Sequence, residues 1–279
     1  MSRFEPLRSV TASTLPRPSD FRFVEDLTWV PVADSEFYLT SHHLPLAIRF
    51  DRAKPQLGAV VGGALLARPT INATGAWQAA YQPMAVRCYP VRLVSEPSGN
   101  PLDDLEIDQA PVTDTKGAPI TAPNGEASPE VRALHKSLRQ LTQGQVRLSA
   151  ALDRAVMADV VAPIAMPGEN QSRLPALFSI DARAFEALSP RALATMVRQS
   201  YLPIEVMAAL LFSQRRLRPG CLPRPLDDSR ASGAAVHDDP ALPHLDEILA
   251  RTLDLSDLVP VAMPEKGENQ PPARSEPLD

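Results

Sequence analysis

The sequence predicts an α+β fold, with an antiparallel sheet in the N-terminal half packed by C-terminal helices. Three observations lead there. Residues 21–121 hold short apolar groups broken by polar pairs and prolines. Sustained helical spacing begins only at Ser128-Pro129-Glu130. After Arg218 the chain turns acidic and rich in proline. Strands first and helices later argue against a doubly wound parallel sheet. Closure of the sheet into a barrel is left open at this point.

Residues 1–20 read as an extended lead-in without apolar periodicity. Leu27–Val32 and Leu44–Phe50 read as strands, with a helical turn or two at Asp34–Thr40 between them. Gly58–Ala67 (GAVVGGALLA) suits a buried strand bent at Gly62-Gly63. Met84–Val94 reads as a further strand, and Leu105–Ile107 as a short alternating one. Asp114–Gly117 is a turn signal, with 110–113 and 118–121 as candidate hairpin arms.

Ser128-Pro129-Glu130 is a strong helix start, with Ser as N-cap, Pro in the first turn and an early acid. Val131, Leu134, Leu138, Leu141, Leu148, Leu152, Val156 and Val160 follow as one stripe on a helix of about 30 residues. Gln145 interrupts the stripe beside Gly144, and Pro163 is the expected stop. Leu174–Ile180 reads as a strand, Ser189-Pro190 repeats the helix start, and a last helix is expected over Ile204–Arg216. This organisation divides the chain into a lead-in (1–20), a body (21–218; sheet-rich over 21–121, helical over 128–218) and a tail (219–279).

Composition narrows the function classes. Hydrophobic residues make up 44% and charged residues 22%, which suits a folded core. The 30 prolines among 279 residues are about twice ordinary usage. Residues 221–279 carry −7 of a whole-chain charge of −5, so residues 1–220 carry +2. No basic face argues for nucleic acid as a partner. No apolar run is long enough for a membrane span, and the N-terminus lacks the apolar core of a secretory signal. A cytoplasmic location is the default, with surface association by a non-classical route left open. Cys88 and Cys221 read as free thiols. Within the tail, Leu242–Val259 has amphipathic spacing and reads as either a partner-docking helix or a strap on the body.

No metal-ligand spacing, nucleophile elbow or phosphate cradle is present, and no cofactor is expected. His42 and His43 are adjacent, His135 is read as solvated beside Leu134, and Asp103-Asp104 as a solvated pair. Arg215, Arg216 and Arg218 read as cations favoured at a helix end. The best site candidate is Trp77, Tyr81, Arg87 and Tyr89, with Glu36 as internal partner. On a strand, Arg87 and Tyr89 would share a face, and a guanidinium beside a phenol suits a carboxylate or phosphate. The bland alternative is an Arg–Glu pair that fixes register.

Several segments together resemble the SapC family of bacterial proteins. Phe21-Arg22-Phe23 through Phe37 is similar to its opening aromatic-x-aromatic pattern, and Leu44–Ile48 to its Tyr-Pro-Ile-Val strand. Trp77, Tyr81, Pro83, Arg87, Tyr89 and Pro90 match its most specific motif. Thr113–Gly117 with Pro119 and Thr121 resembles its acidic stretch, and the segment through Ser213 its closing helices. Val91 departs from the usual Phe after Tyr-Pro. The resemblance spans about residues 20–218. It implies a role at the bacterial surface layer or cell envelope; the acidic tail, the amphipathic segment 242–259 and the missing catalytic signature add the expectation of a non-enzymatic accessory protein that handles a partner protein. It supplies no agreed active site. An enzyme or small-ligand binder using the Trp/Tyr/Arg cluster is the alternative.

Overall fold

The computed structural model describes residues 4–10, 14–16, 20–108, 117–165 and 176–223. The segment 242–259 and the first candidate hairpin arm, 110–113, lie outside these residues. The elements run β1 (Phe4–Pro6), β2 (Thr14–Pro16), β3 (Trp29–Pro31), α1 (Phe37–His43), β4 (Leu46–Asp51) and β5 (Lys54–Val60). Then come α2 (Met84–Cys88), β6 (Val91–Leu93), α3 (Pro101–Asp104), β7 (Leu105–Asp108) and β8 (Gly117–Pro119). The helical half holds α4 (Pro129–Met157), β9 (Val161–Pro163), β10 (Phe178–Ile180), α5 (Ala182–Glu186), α6 (Pro190–Val197) and α7 (Leu202–Ser213).

The architecture is α+β, and its strand pairs are antiparallel. The main sheet has five strands in the order β3-β5-β4-β10-β9. It is an open sheet; among the described residues no barrel closes. A second sheet runs β1-β7-β6, and β2 pairs with β8. The lead-in therefore contributes two strands that its lack of periodicity concealed. Three-residue strands are too short for an alternating pattern to show.

The β4–β5 hairpin turns through Arg52 and Ala53, both at positive φ (47° and 67°). A two-residue turn of this hand matches strand twist, although Asn-Gly is its usual signature. Both faces of this hairpin are covered. Leu46, Ile48, Leu57 and Ala59 face Leu148 and Leu152 of α4 and Val206, Met207 and Leu210 of α7. Ala47 and Val60 lie on the opposite side with Trp29, Leu65, Leu217 and Cys221. Double coverage explains why Gly58–Val61 reads as a continuous apolar run rather than an alternation. The expected strand stops at Val60, and Gly63–Leu65 forms a single 3-10 turn.

The long helix α4 begins as expected. Ser128 Oγ accepts from the Val131 amide at 3.2 Å, and Ser189 Oγ caps α6 through Ala192 in the same way. Its first half buries Val131, Leu138 and Leu141 in a second core with Leu7, Leu102, Leu105 and Ile107. Its second half buries Leu148, Ala151, Leu152 and Ala155 in the main core. The stripe bends away from the expected one at its end. Ala155 faces inward and Val156 is 40% exposed. The helix stops at Met157, six residues before Pro163, where Asp159 takes a φ of 55°.

Between the two halves, Gly144 lies against the start of α1. A Cβ there would stand 2.7 Å from the Asp34 backbone nitrogen, so only glycine allows this approach. Gln145, the interruption in the stripe, donates to the carbonyls of Val32 and Leu57. It ties α4 to the middle of β5 and to the residue that follows β3. Ser213 plays a similar part at the end of α7. Its hydroxyl accepts from the buried Leu46 amide at 2.8 Å and donates to the Leu210 carbonyl.

One expected strand is corrected. Met84–Val94 splits into α2, a cis Tyr89–Pro90 bond and β6. Arg87 therefore sits in the last turn of a helix and Tyr89 just past its end, not on one strand face.

Candidate functional site

Glu36 is the centre of the residues singled out above. It precedes α1 and is 4% exposed. Its Oε1 accepts from the Ala33 amide at 3.0 Å. Its Oε2 accepts from the Tyr81 hydroxyl at 2.6 Å and the Met84 amide at 2.9 Å. The last contact caps the first turn of α2 with a side chain from a distant part of the sequence. Burial, reinforced by the Glu36 carboxylate, pushes the Tyr81 phenol pKa up, so Tyr81 stays protonated and donates.

Arg87 is the outlying member. Its Nη2 is 3.9 Å from Glu36 Oε2, and its side chain is 51% exposed. The pair is a loose ion pair at a water boundary rather than a closed bidentate one. Arg87→Ala is accordingly expected to shift the melting temperature by less than about 2 °C, as exposed ion pairs contribute little. A thermal melt of the purified variant checks this.

The aromatic residues serve as a clamp. Phe23 stacks on Tyr89 with ring centroids 3.7 Å apart and planes 9° from parallel. Phe21 meets the edge of Trp77 at 6.0 Å. Trp77 Nε1 donates to the Tyr81 carbonyl at 3.0 Å. The aromatic-x-aromatic segment thus holds the Trp77–Tyr89 segment, which in turn presents Tyr81 to Glu36.

Beside this cluster lies a cavity of about 530 Å³ between α2, β8 and the first turns of α4. Arg87 and Tyr89 line it with Cys88, Glu130 and Leu134. Trp77, Tyr81 and Glu36 do not line it. Burial pushes the Cys88 thiol up to about 11, against the opposing effect of Arg87. At neutral pH it is a packed thiol, not a thiolate nucleophile. Cys221 is likewise free and buried.

A family model, SapC, matches residues 12–219. The chain belongs to the SapC family. No curated protein and no solved structure matches it. The match spans the motifs that this geometry joins: the Phe21/Phe23 clamp, Glu36, the Trp77–Pro90 segment and Ser213. In this SapC chain the clamp, Glu36 and the Trp77–Pro90 segment are joined by ring contacts and hydrogen bonds, while Ser213 separately ties α7 to β4.

A second buried acid was missed by the sequence reading. Asp104 is 1% exposed and His135 7% exposed, which corrects the expectation that both are solvated. His135 Nε2 lies 2.8 Å from Asp104 Oδ2. Asp104 also accepts from Ser98 N and Oγ, at 2.6 and 2.8 Å, and from the Gly99 amide at 2.9 Å. Burial alone would raise the Asp104 pKa; the donors of Ser98, His135 and Gly99 outweigh it and hold the carboxyl below its ordinary value. A lowered folded pKa stabilises the fold above the unfolded value of about 4, and that stability is lost as pH falls through the folded value. Asp104→Asn is therefore expected to melt lower at pH 7 and to show a flatter loss of stability below about pH 4. Melts from pH 7 to pH 2 compare the two slopes.

Among the described residues, no three His, Cys, Asp or Glu side chains are grouped to hold a metal ion, and no helix is long and apolar enough to cross a membrane.

Proposed function

We propose that this SapC-family chain is a non-enzymatic accessory protein of the bacterial surface layer or cell envelope that works by holding a protein partner. The observation that carries the reading is the closure of Glu36. The acid best placed for chemistry spends its oxygens on two backbone amides and a phenol that the fold itself supplies. Such a carboxylate positions α1 against α2 and has no role left for a substrate.

A docking surface supports the partner-binding half. A groove of about 680 Å³ runs between the end of α4 and α6, lined by Met157, Ala158, Ala192 and Met196 together with Asp153, Arg154 and Arg191. Met157 is 86% exposed there. Exposed methionine on an apolar groove is a recurrent feature of protein-binding surfaces. The envelope connection rests on the family resemblance, and location at the cell surface is part of the same proposal.

The competing reading is an enzyme or small-ligand binder that uses Arg87 and Tyr89. The half-exposed Arg87 at the 530 Å³ cavity favours it. Capture from cytosolic and envelope fractions of the native host, with wild type and Met157→Glu, separates the two. A partner from the envelope fraction that is retained by wild type and lost by Met157→Glu supports the proposal. A turnover activity abolished by Arg87→Ala at unchanged melting temperature overturns it.

A further inference from the structure

We propose that the cleft between the end of α1, the segment after Leu65 and the end of α7 binds a phosphoryl group. The cleft has a volume of about 410 Å³ and is lined by His43, Leu44, Pro45, Arg68, Arg215 and Arg216, with Leu66 and Ala67 between them. Three arginines line one concavity, and among the described residues no Asp or Glu lines it. Arg8, Arg22, Arg92 and Arg147 pair with Asp103, Asp20, Glu106 and Asp34, whereas Arg49 covers Trp29 and Arg132 donates to a backbone carbonyl. Among the described residues, Arg68, Arg215 and Arg216 have no such partner.

The walls are fixed rather than loose. Leu66 bridges Leu217, the Ala67 amide donates to the Arg216 carbonyl at 3.0 Å, and the Arg218 amide donates to the Leu65 carbonyl at 2.8 Å. These contacts hold the Arg68 segment against the Arg215-Arg216 turn. The Arg215 guanidinium carbon lies over the Phe212 ring, 3.8 Å from its centroid. Arg216 donates through one Nη to the His42 carbonyl, so it caps α1 and not its own helix. Its buried Nε has no partner among the described residues. A buried donor left unpaired is costly, and an oxyanion seated between the guanidiniums would satisfy it.

The local field agrees with this geometry. Burial first, then the charges of Arg216 and His42, hold the His43 pKa below the ordinary imidazole value. Burial, followed by its neighbours Arg215 and Arg68, lowers the Arg216 pKa as well. Cations crowded without counter-charge gain most from a multiply charged anion. Arginine forks match the tetrahedral oxygens of phosphate in pairs. The volume exceeds that of a bare phosphate and falls in the range of small-molecule sites. This site does not depend on the partner-binding reading above, because it uses neither the α4–α6 groove nor Glu36.

Isothermal titration calorimetry of the full chain at low salt tests it, with glycerol 3-phosphate, inorganic phosphate and glycerol as probes. Arg68→Gln and Arg215→Gln are the variants; both residues are exposed. Saturable 1:1 binding of a phosphate probe, with none for glycerol, is expected. Each variant should weaken it about tenfold at unchanged melting temperature. Tighter binding of the ester identifies a phosphorylated small molecule, and tighter binding of inorganic phosphate identifies the free ion; both uphold the site. Absence of saturable binding by either probe, or variant affinities within about twofold of wild type, overturns it.

Discussion

Glu36→Ala is expected to lower the melting temperature by about 10 °C. The substitution strands the Ala33 and Met84 amides and the Tyr81 hydroxyl, the first two of them buried. Each unsatisfied buried donor costs about 1–3 kcal/mol, and the loss here is about 3–5 kcal/mol in sum. For a body near 200 residues, each kcal/mol shifts the midpoint by about 2–4 °C. Tyr81→Phe removes one donor together with its claim on the carboxylate and should cost only about 1 kcal/mol. The expected order of damage, Glu36→Ala above Tyr81→Phe above Arg87→Ala, is read by calorimetry. A Glu36→Ala protein that melts within about 2 °C of wild type would show that the carboxylate does not join α1 to α2.

Gly58→Ala should be nearly as damaging, through packing instead of polarity. Gly58 lies opposite Ala47 and Pro31 in the centre of the main sheet. A Cβ there would stand 2.1 Å from Trp29 Cε2 and 2.3 Å from the Val30 carbonyl oxygen. The indole cannot yield freely. Its Nε1 donates to the Ala47 carbonyl at 3.0 Å, and the Arg49 guanidinium covers its face at 4.2 Å. Overpacking of this severity costs about 3 kcal/mol. Loss of stability together with a changed near-ultraviolet circular dichroism band from Trp29 is the expected result. Gly63→Ala is the control, since a Cβ there meets nothing within 4 Å.

The sequence made the order of elements and both Ser-Pro helix starts legible because these depend on neighbours. A cap is a contact over three residues, and Ser128 and Ser189 make it as expected. The helix at Met84–Cys88 was not legible because its cap is Glu36. Nothing near Pro83 in the chain announces a carboxylate supplied from far away. The five candidate residues do lie near one another, yet the strand assumed for Arg87 and Tyr89 misplaced their directions. Arg87 reaches toward water, and Tyr89 turns onto Phe23.

His135 is a different case, since its signal was present. It follows Val131 by four positions and precedes Leu138 by three, which puts it on the buried stripe. A stripe drawn through Leu134 leaves His135 outside it, but the face that is buried runs through His135, with Leu134 only half-buried. The arginine cleft was hidden for a topological reason. Arg68 and Arg216 are brought together by the Leu66–Leu217 bridge, a contact between the sheet-rich half and the last residues of the helical half.

The strand order of the main sheet bears on how the chain is made. β4 pairs on one side with β5, its immediate successor, and on the other with β10, where Phe178 stands opposite Ile48. A growing chain therefore leaves the ribosome with the β4 hairpin complete and one row of its amides and carbonyls bare. At ordinary synthesis rates the missing strand follows after on the order of ten seconds. Through that interval, neighbouring chains on one messenger offer each other the same unpaired row. Yield in expression should thus respond to cooling and to chaperone supply far more than the finished protein's melting point would suggest.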